Sequence, residues 1–236
     1  MKIVVLTGAG VSAESGISTF RDAGGLWDKY RIEEVATPEA WYTNPELVLK
    51  FYNERRRQLA TVEPNPAHYA LAELEKYFDV VIITQNVDNL HERAGSRNVL
   101  HLHGELTKAR STADSHLIYE IGYKDINFGD TCEKGSQLRP HIVWFGEPVP
   151  LITEAIEISK MADIFIVVGT SMVVYPAAGL IEFVPQKSPK YIIDPKKPVF
   201  YQCPTNVIFI EERASIGTPK LVQELIKSYS NEIPNG

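Results

Sequence analysis

Six short runs of apolar, mostly β-branched residues recur along the chain, at Lys2–Leu6, Val80–Thr84, Ile142–Trp144, Asp163–Val168, Tyr191–Ile193 and Val207–Ile210. Runs of this kind, apolar without alternation, suit strands covered on both faces, the mark of a buried parallel sheet. Between them, apolar residues recur three and four positions apart, as in Leu71, Leu74 and Phe78, in Ile152, Ile156 and Met161, and in Leu221, Leu225 and Ile226. Strand alternating with helix predicts an α/β fold built on a doubly wound parallel sheet. Two stretches break the rhythm. Residues from about 27 to 63 are helical in tendency and supply no strand; Asn44-Pro45-Glu46 reads as a helix start, with Asn44 as N-cap and Pro45 in the first turn. Residues from about 106 to 139 are polar and contain glycines without a clear period. Both read as excursions that form a smaller module beside the sheet, and 236 residues suit one large domain carrying such insertions.

The first strand runs into Gly8-Ala9-Gly10-Val11-Ser12-Ala13, a G-x-G-x-x-A turn. Gly8 would allow the tight turn, Gly10 a close backbone approach to a pyrophosphate, and Ala13 close helix–sheet packing. The following helix would aim its N–H groups at the phosphates. An ordinary strand-to-helix turn would read the same way, so position at the first βα junction carries the argument. A dehydrogenase of this type needs a second strand tipped by an acid about 20 residues on; here that place holds Ser18-Thr19-Phe20-Arg21-Asp22, which is not strand-like. An acid does end a later run, at Asp194, where it would hold a ribose hydroxyl and repel a 2′-phosphate; a turn former ahead of Pro195 is the simpler alternative. Gly169-Thr170-Ser171 is a second small polar turn after an apolar run, suited to another part of the same elongated nucleotide.

Thr84-Gln85-Asn86-Val87-Asp88 follows the run at 80–84, at the strand end where such sheets bind ligands. A helix start with Asn86 or Thr84 as N-cap and Asp88 as an acid favouring the dipole explains Asp88 well and leaves Gln85 without a role. In His101-Leu102-His103, an extended backbone would put both imidazoles on one face. No nearby carboxylate or cysteine completes a metal site, so none is expected there. An imidazole suits proton abstraction near neutral pH, and a hydrogen-bonded structural histidine is the alternative.

A formal net charge of −6 argues against a broad nucleic-acid surface, although Arg55-Arg56-Arg57 stands against that balance. The opening MKIVVLTGAG is too short for a secretory signal, and no stretch is apolar enough to span a bilayer, so the cytoplasm is the expected compartment. Cys132 and Cys203 cannot make a disulfide framework or a four-thiolate zinc site.

Five motifs in order, GAGVSAESGISTFRDAGGLW (8–27), TQNVDNLHERAG (84–95), HLHGEL (101–106), LRPHIVWFGE (138–147) and VVGTSMVVYPA (167–177), resemble those of the sirtuins, the NAD-dependent protein-lysine deacylases, over nearly the whole chain. The resemblance implies a Rossmann-like large domain (about 1–28, 64–105 and 140–236) and a small domain from insertions (about 29–63 and 106–139), with NAD and an acyl-lysine meeting between them. It implies NAD contacts from Gly8, Ala9, Gly10, Ala13, Phe20, Arg21 and Trp27. Gln85, Asn86, Val87 and Asp88 would surround the nicotinamide ribose, with Asn86 and Asp88 serving catalysis. Gly169, Thr170 and Ser171 would line the adenosine end, beside Asp194 and Ala214. Val143, Phe145, Gly146 and Glu147 would form the edge that pairs with substrate backbone, and His103 would be the base. Lysine, nicotinamide and O-acyl-ADP-ribose would be the products. Phe51 to Arg57 resembles the subgroup with a Tyr-x-x-Arg signature, in which Tyr52 and Arg55 would hold a succinyl, malonyl or glutaryl carboxylate, with acetyl-lysine also accepted. The chain departs from the family where two C-x2-C pairs usually hold structural zinc: Ser111 and Asp114 stand at the first pair and only Cys132 at the second, so no zinc is expected. Mono-ADP-ribosyl transfer, NAD hydrolysis and non-catalytic NAD sensing are the competing readings.

Overall fold

The structure is a computed structural model and describes residues 1–19, 29–198 and 204–229. Its strands are β1 (Lys2–Thr7), β2 (Asp79–Thr84), β3 (Val99–His101), β4 (Gly104–Ser111), β5 (Ile118–Glu120), β6 (Leu138–Ile142), β7 (Ile164–Val168), β8 (Lys190–Ile193) and β9 (Val207–Ile210). The helices used below are α1 (Ala9–Ala13), α2 (Ile32–Val35), α3 (Pro38–Thr43), α4 (Pro45–Leu59), α5 (Pro66–Leu74), α6 (Leu90–Arg93), α7 (Ile152–Lys160) and α8 (Ala214–Tyr229), and a 3-10 helix spans Ala177–Phe183.

Six strands form one parallel sheet in the order β3-β2-β1-β7-β8-β9. The strand period decides which side chain goes to which face. Ile3, Val5, Ile82, Ile164 and Ile166 pack under α5 and α8, while Val4, Leu6, Ile83, Phe165 and Val167 pack under α7 and the 3-10 helix. This is the Rossmann-like α/β fold expected from the alternating runs. The chain winds outward from β1 through β2 and β3, then restarts on the other side at β7. The order therefore reverses between β1 and β7, and the crevice beyond their C-terminal ends is where such sheets bind ligands.

The run at 142–144 is not a strand of this sheet, contrary to its sequence reading. The strand there is β6, which pairs antiparallel with β4 in a separate three-stranded sheet, β5-β4-β6. A short β-branched run fits either sheet, and its partner settles the choice. Strand β3, only three residues long at the sheet edge, had no such run to announce it. Helices α3 and α4 bury Trp41, Val48, Phe51 and Leu59 against Leu106, Ala109 and Ile142 of the small sheet and Trp144 just after it. The Asn44 side chain accepts from the Leu47 N–H at 3.1 Å, with Pro45 in the first turn of α4, as the sequence predicts. Among the described residues, no helix is long and apolar enough to cross a membrane.

The residues at the family's zinc positions bind one another. Ser111 Oγ accepts from the Cys132 thiol at 3.4 Å, and Asp114 pairs with Lys134 at 2.8 Å. One thiol, one hydroxyl and a carboxylate already neutralised by lysine do not make a zinc donor set. Elemental analysis of the purified protein is expected to find no stoichiometric zinc; one zinc per chain would contradict this.

Candidate functional site

Two glycine turns meet at the switch point. The Gly8 N–H donates to the Val168 carbonyl at 3.1 Å and the Gly10 N–H to the Gly169 carbonyl at 2.8 Å. Gly8 itself is extended, at φ −131°, so turn conformation does not demand glycine there. Close approach does. A Cβ on Gly8 would lie 2.6 Å from that of Thr170, and one on Gly10 would lie 2.7 Å from the Gly169 Cα. Gly169 needs both freedoms: its φ is +61° and a Cβ would sit 2.3 Å from the Val11 nitrogen. The glycines thus dock the two turns against each other, and the paired turns form the floor of a cavity.

That cavity has a volume of about 930 Å³, near the top of the range of about 300–1,000 Å³ usual for ligand sites. Of the residues singled out by sequence, Gly8, Ala9, Gly10, Ala13, Gly169, Thr170 and Ser171 line its floor, and Asp194 and Ala214 one end. Gln85, Asn86, Val87, His103, Tyr52, Arg55, Val143, Phe145, Gly146 and Glu147 also line it. Asp88 is not in the lining but buried behind it. Phe20, Arg21 and Trp27 lie outside the described residues.

Behind the wall is a network that sequence reading missed. His68 Nδ1 accepts from the Asn65 N–H at 3.2 Å, so its proton sits on Nε2, 3.4 Å from Ser12 Oγ. Asn86 Nδ2 donates to the same hydroxyl at 3.0 Å, and the hydroxyl donates to Asp88 Oδ2 at 3.0 Å. One hydroxyl has one donor and two acceptor sites, and all three are used. Asp88 Oδ1 meanwhile accepts from the Leu90 N–H at 3.1 Å, at the start of α6. Burial pushes the Asp88 carboxyl up, opposed by Leu90 N–H, Ser12 and the His101 charge. Burial holds His68 down at about 4 and His91 well below the ordinary imidazole range, so both rings are neutral at pH 7. Nothing local in the sequence marks Ser12 or His68; only the tertiary fold joins them.

His103 follows β3 in a turn, and its Nδ1 lies 3.0 Å from the Gln85 carbonyl. A carbonyl only accepts, so Nδ1 carries the proton and Nε2 keeps its lone pair. Burial holds the ring below the ordinary imidazole range, with the Gln85 contact pulling the other way. Gln85 Nε2 in turn donates to Thr170 Oγ1 at 3.2 Å, tying this strand end to the floor.

The segment after β6 does not continue as a strand. Four of its five N–H groups from 143 to 147 are engaged: Val143 with the His103 carbonyl at 2.9 Å, Phe145 with Ala36 at 3.0 Å, Glu147 with Trp144 at 3.0 Å, and Trp144 with the Glu147 carboxylate at 2.8 Å. Glu147 also binds Arg139 at 2.8 Å and Arg110 at 3.3 Å, which hold its carboxyl below the ordinary range against burial. Its charge is therefore spent on these arginines and the Trp144 N–H, while the residue also lines the cavity. Tyr52 is 2% exposed, and burial pushes its phenol up to about 12, so it remains an O–H donor. The Arg55 guanidinium lies 5.8 Å from the Tyr52 ring centroid, on the same helix face. Burial lowers its pKa, opposed by Tyr52 and Asp88.

A Sir2 family model matches residues 8–176. An NAD-dependent protein deacylase of Bacteroides thetaiotaomicron is 56% identical over 229 residues, covering 95% of this chain and 97% of the relative. Among solved structures, a Sir2 homologue–NAD complex is 43% identical with a TM-score of 0.87, covering 96% of this chain and 90% of the other. A Sir2 complex with a deacetylated p53 peptide and 3′-O-acetyl-ADP-ribose is 30% identical with a TM-score of 0.80, covering 96% and 92%. With its motifs, its switch-point cavity and most of its length matched in this way, the chain belongs to the Sir2 family.

Proposed function

We propose that this protein is an NAD-dependent protein-lysine deacylase that removes acyl groups ending in a carboxylate, such as succinyl and malonyl, and also acetyl. Convergence of a neutral, singly protonated imidazole with a glycine-floored cavity and a pair of a buried Tyr52 and a half-buried Arg55 is the observation that carries this reading. The same reading divides the chain into the large and small units given above and assigns it to the cytoplasm, with proteins as substrates.

The cavity floor fits NAD. The close-docked turns leave no side chain between the backbone and a pyrophosphate, and the start of α1 faces the same space. Asp194 and Ala214 at one end suit the adenosine, and Gln85 and Asn86 at the other suit the nicotinamide ribose. NAD supplies an activated ribose carbon to accept the acyl oxygen. His103 takes a proton from a ribose hydroxyl at Nε2, and its Nδ1–H keeps the ring oriented on the Gln85 carbonyl. Asn86 stays in place because Ser12 holds its amide. The walls at Ile142, Val143 and Trp144 exclude water that would compete with the acyl oxygen.

Only the neutral His103 ring can accept a proton. Activity is therefore present above its depressed pKa and falls as pH drops through it. The acid limb of kcat/KM is expected below about 6.5, the ordinary imidazole value; a midpoint at or above that value would count against His103 as the base.

Arg55 offers a fork of N–H donors to a carboxylate, and Tyr52 adds an O–H. Arg55→Met is expected to cut kcat/KM on succinyl-lysine peptide by about 2–4 kcal/mol, on the order of 100-fold, while acetyl-lysine peptide changes a fewfold. Equal losses on both peptides would reject the acyl-carboxylate role.

A further inference from the structure

We propose that His101, held by Glu92, is a positioning residue for the reaction, fixing the Gln85–Asn86 peptide against which His103 is oriented. The inference rests on the deacylase reading for its kinetic consequence, but its geometry stands apart from it.

Residues 101–103 are fastened to residues 84–86 by three contacts in sequence. His103 Nδ1 meets the Gln85 carbonyl at 3.0 Å, the Leu102 N–H donates to the Thr84 carbonyl at 3.0 Å, and His101 Nδ1 meets the Asn86 carbonyl at 3.1 Å. Consecutive carbonyls of one strand end are thus held by two imidazoles two residues apart. The two rings are in different states. His103 has one acceptor partner and needs one N–H. His101 has two: its Nε2 lies 2.7 Å from Glu92 Oε1. A carbonyl and a carboxylate both accept only, so both nitrogens of His101 must donate. The ring is 8% exposed, so water does not substitute for either partner.

The surroundings favour this charge. Glu92 on α6 and Glu105 on β4 attract it, and Asp88 on the intervening loop feels it. His91, also on α6, is held neutral by burial and adds no opposing charge. Burial itself works against protonation, and the carboxylates and the Asn86 carbonyl prevail, raising the ring's pKa. His101 thereby links the Asn86 backbone to α6, whose Leu90 N–H is bound by Asp88 Oδ1. Asn86 is gripped on both sides, by Ser12 at its amide and by His101 at its carbonyl. When pH rises past the raised pKa, one N–H is lost, and either Asn86 or Glu92 faces a lone pair. The 85–86 peptide then loosens, and His103 with it.

The test combines ring NMR with kinetics. Imidazole nitrogen shifts are recorded on the free protein, with His101 assigned from the signal missing in His101→Gln. At pH 7.5 His101 is expected to carry two protons and His103 one, and in Glu92→Gln the His101 ring is expected to become neutral. In turnover, Glu92→Gln is expected to lower kcat about tenfold with peptide KM within about twofold, and to move the alkaline limb of kcat/KM to lower pH. His101→Gln keeps one donor for the Asn86 carbonyl and is expected to flatten that limb. A singly protonated His101 at pH 7.5, or a Glu92→Gln variant with unmoved kcat and alkaline limb, would overturn the proposal. A variant that lost thermal stability alone would show a structural role and overturn it equally. The NMR arm needs no turnover, so a wild-type protein lacking deacylase activity would defeat the functional reading and leave the His101 question answered separately.

Discussion

His103→Ala is expected to lower kcat for lysine deacylation by about 10²–10⁴-fold, the usual contribution of a positioned base, while NAD still binds within a fewfold of the wild-type Kd. The size of the kinetic effect follows from the ring's assignment. Its Nδ1–H is committed to the Gln85 carbonyl, so Nε2 is its one site able to take a proton. The cavity floor that would hold NAD is built from Gly8, Gly10, Gly169 and Thr170, which the substitution leaves in place. Paired measurements of NAD affinity by calorimetry and of kcat by peptide mass spectrometry check both halves. Comparable loss of binding and turnover would mean that the ring serves the fold or the cofactor.

Gly104→Ala is expected to unfold or severely destabilise the protein, by about 3 kcal/mol or more, equivalent to roughly 6–12 °C in Tm for a domain of this size. Gly104 has φ +83°, and a Cβ there would lie 2.0 Å from the His141 carbonyl oxygen and 2.9 Å from its carbon. These are backbone atoms of β6, so no rotamer change relieves the contact. The crossing is the junction between the two sheets: Gly104 pairs with Ile142, and the His103 carbonyl accepts from the Val143 N–H at 2.9 Å. Any side chain at 104 pushes the small sheet away from His103. Thermal unfolding followed by circular dichroism is the measurement; a Tm within about 2 °C of wild type would show that the crossing yields more easily than the geometry implies.

Much of the fold was legible because strands buried on both faces must be apolar throughout, and five of the six runs lie in the parallel sheet. The sixth was misassigned because Ile142-Val143-Trp144 is apolar for a different reason: Ile142 and Trp144 fill the core under α3 and α4. Strand β3 escaped because Val99 and Leu100 are only partly buried at the sheet edge. At the cavity, the residues legible in sequence are those at strand ends, where unpaired backbone and small polar side chains stand out from apolar runs. Their supports were not legible. Ser12 sits inside the glycine motif with no role of its own there, and nothing in the sequence singles out His68; their meeting with Asn86 and Asp88 depends on α1, α5 and the β2 end coming together in space. Glu147 was legible only in part. The motif puts it on the edge that would meet substrate backbone, and it lines the cavity, but nothing in the sequence shows that its carboxylate binds Arg139, Arg110 and the Trp144 N–H.

The most direct measurement is the fate of NAD incubated with the protein, with and without a succinyl-lysine peptide, resolved by mass spectrometry. The account predicts intact NAD when peptide is absent, and one nicotinamide and one O-succinyl-ADP-ribose for each lysine freed when it is present. Equal NAD consumption without peptide, or ADP-ribose found attached to protein while the acyl-lysine stays intact, would contradict it.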